Sequence, residues 1–442
     1  MSENSISIDE NSPHLHKHPS KLFVEVTTRC NLNCFMCVKQ NQANELIDGD
    51  FPSHLFAALE PAFPHLKTLI LNGIGEPLLT LNLEAYIRRA KKLMPAEAWI
   101  GFQTNGLLMT NLRALSLVDA GIDRICLSID AVTPEMFSRV REGGEVQAVD
   151  KAFEALKSAK QRCGSNGLKV GVEFVAMRSN LHELPAAIEW AARRGASFAI
   201  VTHVLPYDKR HADEVAFGTT SNEAITLFQE WRNRAVKEHI DISNYFEVRF
   251  GKYSRNSQEQ KVVDLVDAMK AEAEGKGIFL DLKKLLRIDM EQLEELAETF
   301  VEVEKIAREN DMELKLPQIA LSGKRRCTFV EEGAAFVSWQ GDISPCYFLW
   351  HRYQCHASGW TQQVRPKIFG NIAKEGILDI WNSSGFQRFR EEVLAYDYPS
   401  CSDCGLAPCD YINADTFEQD CHIRNVPCGA CLWCMGVFHC LN

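Results

Sequence analysis

From residue 22 to about residue 205, short apolar strands alternate with amphipathic helices, and no other feature narrows the fold as far. The strand-like runs lie at 22–27, 66–71, 98–103, 124–129, 169–176 and 197–204. Helical periodicity fills stretches between them, at 82–93, 111–120, 149–160 and 184–194, and Gly121 and Gly195 stand where helices stop. Strand–helix repetition implies parallel strands joined by helical crossovers, and six such units fit a barrel or a partial barrel. Ligands of either gather at the carboxyl ends of the strands.

At the end of the first strand stand Cys30, Cys34 and Cys37, in the spacing C-x3-C-x2-C. Four sulfurs close a structural zinc or iron–sulfur site, and three leave one position open to a ligand. The spacing alone leaves open an iron–sulfur cluster with one exchangeable iron, a zinc knuckle, or thiols that are merely close. The second strand runs into Asn72-Gly73-Ile74-Gly75-Glu76-Pro77, where glycines permit close approach of the backbone to a ligand. On the fourth strand Cys126, Ser128 and Asp130 alternate with Ile125, Leu127 and Ile129, so the polar set is expected to face the barrel interior. Glu173 on the fifth strand and His203 on the sixth interrupt apolar runs. Each is either a base or substrate contact, or a satisfied structural group.

Sixteen cysteines are many for a chain with no apolar signal segment at its start, and eleven of them fall from Cys327 onward. Without an export signal, dense cysteines point to metal rather than to disulfides. Cys401-x2-Cys404 and Cys428-x2-Cys431-x2-Cys434 have metal-ligand spacing, and Cys346, Cys409, Cys421 and Cys440 lie among them. A zinc-ribbon set and iron–sulfur clusters both satisfy this pattern. The expected organisation is a polar tail over 1–20, a barrel over 21–206, a charged helical insertion over 207–286, a last helix and strand over 287–323, and a thiol-rich domain over 324–442. A net charge of −11 with no long basic run makes nucleic acid an unexpected partner. No apolar run reaches the ~20 residues that span a bilayer, so a soluble cytoplasmic protein is expected.

Taken together, these motifs resemble the radical S-adenosylmethionine (SAM) enzymes that carry a C-terminal SPASM domain. Cys30, Cys34 and Cys37 match the signature that binds a 4Fe–4S cluster whose open iron chelates SAM. Gly73, Gly75, Glu76 and Pro77 resemble the Gly-Gly-Glu-Pro motif that meets the SAM amino group, with Ile74 inserted. Ser128 and Asp130 match the strand end near the SAM ribose. Met36 stands where an aromatic residue is usual. Cys327, the Gly341-x4-Cys346 element, Gly370-Asn371-Ile372, Trp381 and Cys401-x2-Cys404 resemble the SPASM pattern.

The resemblance implies an α/β fold, a partial (β/α)6 barrel with an inserted helical subdomain and a Cys-rich iron–sulfur domain. It also implies one or two auxiliary 4Fe–4S clusters, drawn from Cys327, Cys346, Cys401, Cys404, Cys409, Cys421, Cys428, Cys431, Cys434 and Cys440. The activity implied is reductive cleavage of SAM to a 5′-deoxyadenosyl radical and hydrogen abstraction from a peptide or protein. Cys126, Glu173 and His203 are the candidate substrate-side residues, and a reducing flavodoxin or ferredoxin is the implied donor. The tail resembles a subgroup of metalloenzyme maturases, tungsten oxidoreductases included. Modification of ribosomal peptides is the second activity to weigh, and a non-catalytic iron–sulfur or zinc scaffold the alternative of another class. Tyr347, where sulfatase-maturating relatives place a catalytic Asp, argues against that activity.

Overall fold

The protein is seen in a computed structural model that describes residues 16–41, 45–164, 167–356, 359–404 and 418–441. The six expected strands form β1 (Lys21–Val24), β2 (Thr68–Ile70), β3 (Trp99–Thr104), β4 (Arg124–Ser128), β5 (Lys169–Ala176) and β6 (Phe198–His203). They pair in sequence order, all parallel. Helices Leu83–Lys91, Asn111–Ala120, Val146–Arg162 and Leu184–Arg193 cross between them. Ile125 and Leu127 of β4 and Val172 and Phe174 of β5 are fully buried in the main core. Their alternates Cys126, Ser128 and Glu173 therefore face the interior, and Ser128 stands in register with Glu173.

The sheet does not end with the six strands. A two-residue-bulged pair, β7 (Gly218–Ser221) and β9 (Ala320–Leu321), frames the insertion, and β8 (Glu313–Lys315) adds to β6 in parallel. On the other side β10 (Ala334–Val337) pairs in parallel with β1, from Lys21 opposite Ala334 to Val24 opposite Val337. A hairpin to β11 (Asp342–Ser344) follows, then β14 (Gly370–Asn371). β12 (Tyr353–Cys355) and β13 (Gln362–Val364) form a separate ribbon. The thiol-rich segment thus continues the barrel sheet, giving ten strands among the described residues in the order β14-β11-β10-β1-β2-β3-β4-β5-β6-β8.

The insertion has its own apolar core around Phe228, Trp231, Tyr245, Val266, Met269 and Leu285. It grips the Cys401–Asp403 turn. Thr220 Oγ1 and Ser221 N both donate to Asp403 Oδ1, and Lys284 donates to the Ser402 carbonyl. The expected tail over 1–20 is not free throughout: Trp381 Nε1 donates to the His16 carbonyl and Asn382 Nδ2 to that of Lys17, both at 2.8 Å. Indole and amide donors at a helix end capture that backbone, an effect no periodicity announces. Among the described residues no helix is long and apolar enough to cross a membrane.

The last described residues enter the barrel. His203 N donates to the Val437 carbonyl and His439 N to Thr202 Oγ1 (3.3 and 3.1 Å). Leu441, 1% exposed, packs with Cys126, Phe198 and Ile200 on the interior face. Cys440 lies within the electrostatic reach of Lys315 on β8 and of Lys21 on β1, so the segment spans the side that the sheet leaves unclosed. Deleting a buried Leu side chain costs about 2–5 kcal/mol through lost transfer energy and a cavity. Leu441→Ala is expected to lower the melting temperature measurably under anaerobic conditions. An unchanged melt would show that Leu441 does not fill the barrel.

Candidate functional site

The Cys30–Cys37 loop leaves β1 and is pinned from two sides. Asn33 N donates to the Glu142 carbonyl and Phe35 N to that of Val140 (3.1 and 2.9 Å), and Cys37 N closes a turn on the Cys34 carbonyl. Cys37 Sγ also accepts from Lys39 N at 3.5 Å. The three thiols lie in one another's electrostatic field. Burial pushes all three up, Cys37 to about 12, while the Arg141 guanidinium pulls Cys34 back. Arg141 is the residue that the sequence did not disclose. Its guanidinium is buried, donates to Cys34 Sγ at 3.9 Å and pairs with Asp130 Oδ2 at 2.7 Å. Asp130, at the end of β4, also accepts from Val175 N (2.8 Å). Burial still raises its carboxyl above the ordinary range, against Arg141.

The Gly73–Pro77 loop is stapled to the start of the Cys loop. Gly75 N donates to the Thr27 carbonyl and Glu76 N to that of Arg29 (3.2 and 2.7 Å). A Cβ on Gly75 would stand 2.4 Å from the Thr27 oxygen, so the approach requires glycine. At Gly73 a Cβ would stand 2.4 Å from Glu25 Cγ. Glu25 is fully buried and accepts from Ile74 N, Trp339 N and His351 Nε2 (3.2, 3.3 and 3.0 Å). Neither Glu25 nor His351 stood out in the sequence. Glu76 accepts from Thr104 Oγ1 (2.6 Å), Asn105 N (2.8 Å) and Leu78 N (3.0 Å), and Pro77 opens the short helix that Glu76 caps. Burial nonetheless raises the Glu76 carboxyl. Ser128 stands on the interior face of β4, in register with Glu173 of β5.

A cavity of about 260 Å³ opens beside these loops, bordered by Asn72 just beyond β2, Gln103 and Thr202 near the ends of β3 and β6, and Glu173 within β5. Its polar side forms one hydrogen-bonded chain. Asn72 Nδ2 donates to the Tyr347 hydroxyl (3.1 Å) and to Gln103 Oε1 (3.3 Å), and Gln103 Nε2 donates to Glu173 Oε2. Burial pushes the Glu173 carboxyl up to about 7. His203 is a correction to the sequence reading. It stands opposite Ala176, on the face that meets helices, and its ring packs on Phe217 and Phe300. Its Nε2–H donates to the Gln318 carbonyl (3.0 Å) while its buried Nδ1 has no partner among the described residues, and burial lowers it to about 4, so it is a ring held among helices that only borders the cavity. Thr202, one residue earlier, takes the interior position. Cys126 does face inward but lies under Leu441, fully buried.

Eight of the downstream thiols fall into three places, and Cys355 lies apart, buried on β12. Cys327, Cys346, Cys428, Cys431 and Cys434 border one narrow apolar cavity with Phe329, Phe348 and Tyr398. Arg325 ties this group together, donating to the Cys428 and Gly429 carbonyls (3.0 Å each) and to Cys434 Sγ (3.9 Å). Cys401 and Cys404 bound the turn that the insertion grips, and a Cβ on Gly429 would stand 3.1 Å from Cys401 Sγ. Cys440 belongs to neither set. It borders the barrel cavity, six residues beyond Cys434, because the tail turns inward after Gly436. Cys421 is exposed, and Cys409 lies outside the described residues.

Among the described residues no three Cys, His, Asp or Glu side chains close around a point tightly enough for a single metal ion. A four-iron cluster holds its thiolates farther apart than one zinc ion does. Three thiols on one loop, with a buried cation at one of them, fit such a cluster with an open corner.

Residues 24–191 match the family model described as the radical SAM superfamily, and residues 327–405 that of the SPASM iron–sulfur cluster-binding domain. The tungsten-containing aldehyde ferredoxin oxidoreductase cofactor-modifying protein of Pyrococcus furiosus is 26% identical over 424 residues, 95% of this chain and 96% of that one. A probable GTP 3′,8-cyclase of Methanococcus maripaludis is 30% identical over 232 residues, 50% of this chain and 73% of that one. Among solved structures, SuiB of Streptococcus suis bound to SAM superposes with a TM-score of 0.51 at 11% identity, covering 88% of this chain and 71% of that one. Native anSMEcpe with bound SAM and a Cp18Cys peptide superposes with a TM-score of 0.50 at 14% identity, covering 88% of this chain and 86% of that one. These two structures share the fold.

Removing one partner of a buried ion pair costs about 3–5 kcal/mol, because the other charge stays buried and alone. Arg141→Met is therefore expected to unfold at distinctly lower denaturant, and Arg141→Met with Asp130→Asn to recover part of the loss. Equal destabilisation by the single and double variants would sink the pairing. Glu173 carries the pH prediction. Its folded carboxyl titrates near 7 against an ordinary 4.5, so the folded state holds its proton longer than the unfolded chain does. Stability contributed at this site falls as pH rises from about 4.5 to about 7. Glu173→Gln should flatten that part of the melting-temperature profile, and an unaltered profile would assign the titration elsewhere.

Proposed function

The chain belongs to the radical SAM superfamily and carries a SPASM domain, and on that premise we propose that it is a maturase acting on a peptide or protein substrate. The product it serves is a metalloenzyme, an oxidoreductase of the tungsten or molybdenum type. The observation that carries this reading is the likeness to the cofactor-modifying protein, which runs along nearly the whole chain. The likeness to the cyclase reaches half of it.

In this reading Cys30, Cys34 and Cys37 hold the 4Fe–4S cluster, and Gly73, Gly75, Glu76, Pro77, Ser128 and Asp130 shape the place of SAM. When bound, cluster and SAM together supply a 5′-deoxyadenosyl radical that takes a hydrogen atom from the substrate. The chain's own part is to hold, to orient and to exclude water. Gly75 lets the backbone of two loops meet, and Glu76 locks the second loop to the end of β3. Arg141 keeps a positive charge at Cys34 and neutralises Asp130. Glu173 and Thr202 face the cavity where the substrate enters, and Tyr347 reaches it from the thiol-rich segment. Four of the five thiols Cys327, Cys346, Cys428, Cys431 and Cys434 hold one auxiliary cluster, and Cys401 and Cys404 contribute to a second. The electron donor in this reading is a reducing flavodoxin or ferredoxin, and the compartment is the cytoplasm.

Anaerobic reconstitution with iron and sulfide tests the reading. The wild-type protein is expected to form 5′-deoxyadenosine from SAM under reduction. Cys34→Ala is expected to lose that product and to keep the iron and sulfide of the auxiliary sites. Wild-type protein that yields no 5′-deoxyadenosine would overturn the enzyme reading, and full cleavage by Cys34→Ala would overturn the site.

A further inference from the structure

We propose that the barrel cavity receives a positively charged substrate group, an ammonium or guanidinium borne by the peptide or protein, seated on Glu173 against an aromatic wall. This rests on the reading that the cavity is the place of the substrate.

The first argument is charge. Among the described residues Glu173 is the carboxylate that borders the cavity, and neither Lys nor Arg borders it. The two histidines there do not supply a cation. His203 and His439 each donate Nε2–H to a backbone carbonyl, of Gln318 and Leu316, at 3.0 Å. Burial lowers both below the ordinary imidazole value. An anionic substrate group would meet a carboxylate whose cation in reach, Arg141, is paired with Asp130 and does not border the cavity, an arrangement that costs both anions their solvation.

The second argument is direction. Asn72 Nδ2 donates to Gln103 Oε1, which leaves Gln103 Nε2 to point at Glu173. Glu173 is thereby held as an acceptor by one neutral amide. Its other oxygen makes no hydrogen bond among the described residues. The other interior carboxylates are better served: Glu76 has three donors, and Asp130 has Arg141 and Val175 N. A cationic donor entering the cavity supplies at Glu173 what the protein supplies at the others.

The third argument is the wall. Tyr207, Tyr347, Trp350, Trp433 and Phe438 border the cavity. Tyr347 and Trp350 meet edge to face at 4.8 Å, and Trp433 and Phe438 lie 4.8 Å apart. Aromatic faces attract a desolvated cation and lose nothing to it in hydrogen bonds. A carboxylate on one side and ring faces on the other discriminate a cation from its neutral isostere.

The test uses the reconstituted full-length protein with SAM present. Equilibrium dialysis compares N-acetyl-arginine amide with the neutral N-acetyl-citrulline amide, which has nearly the same shape. At least tenfold tighter binding of the arginine probe is expected, with the preference abolished in Glu173→Gln. Trp350→Leu gives a second measure should that variant fold poorly: it is expected to weaken the arginine probe severalfold and leave the citrulline probe little changed. Equal affinities in the wild type, or a preference that survives Glu173→Gln, would overturn the proposal. Formation of 5′-deoxyadenosine by the same wild-type preparation is read separately. Cleavage without charge preference refutes the cationic seat alone, and charge preference without cleavage refutes the enzyme reading alone.

Discussion

The strand β1, Lys21–Val24, is paired in parallel on both sides, to β10 along all four residues and to β2 from Lys21 to Phe23. That double pairing is what the rest depends on. It buries the strand on both faces, with Leu22, Phe23 and Val24 at 0–1% exposure. It delivers the Cys30–Cys37 loop and the Glu25 carboxylate from its carboxyl end. It also fixes β10 beside β1, and so brings the β10–β11 hairpin and Tyr347 to Asn72 at the end of β2. A thiol-rich domain that folded beside the barrel would place its side chains at the barrel mouth only by docking. Here its first strands are part of the same sheet, and register sets the placement.

Once the strands are in place, the site becomes a problem of buried carboxylates. Glu25, Glu76 and Asp130 sit buried beyond strand ends, and Glu173 stands partly buried within β5. Each is compensated differently: Glu25 by two backbone amides and His351, Glu76 by Thr104 and two amides, Asp130 by Arg141 and one amide, and Glu173 by Gln103. The compensation is structural at the first three, since each ties one loop to another. At Glu173 it is the least complete, and Glu173 is the one that borders the cavity. Incomplete compensation in a cleft is what a binding group needs, because a site already neutralised has little to gain from a ligand.

How much of this was legible in the sequence follows from which contacts are local. The strands and crossover helices were legible because alternation and periodicity are local, and so were the Cys loop and the Gly73–Pro77 loop, whose residues are contiguous. Parity along β4 correctly turned Cys126, Ser128 and Asp130 inward. On β6 the same reasoning was not available: Phe198, Ala199, Ile200 and Val201 are apolar on both faces, so only pairing with β5 shows that His203 faces helices and Thr202 faces the interior. Arg141 sits in a charged loop whose sequence looks solvated, and its burial depends on Asp130 and Cys34 arriving from elsewhere. The same holds for Glu25 and His351, 326 residues apart. The thiol at Cys440 looked like one more member of a dense series, and only the inward turn of the chain after Gly436 removes it.

That inward turn joins the two chemical regions of the molecule. Trp433 borders both the narrow space of Cys327, Cys346, Cys428, Cys431 and Cys434 and the barrel cavity. Immediately beyond it the backbone is held to the barrel at successive points: Arg326 N on the Cys434 carbonyl, Ser322 N on that of Met435, Gln318 N on that of Gly436 and His203 N on that of Val437. A segment bonded at four consecutive residues cannot slide without losing all four bonds, and Leu441 at its far end is buried among Cys126, Phe198 and Ile200. Ordering the thiols of this segment therefore orders the wall of the cavity, and a displacement of either is felt at the other through one aromatic side chain and one extended stretch of backbone. The sheet supplies the barrel's curvature, but closure comes from this short segment, whose course is set at one end by the thiol-lined space and at the other by a leucine in the barrel core.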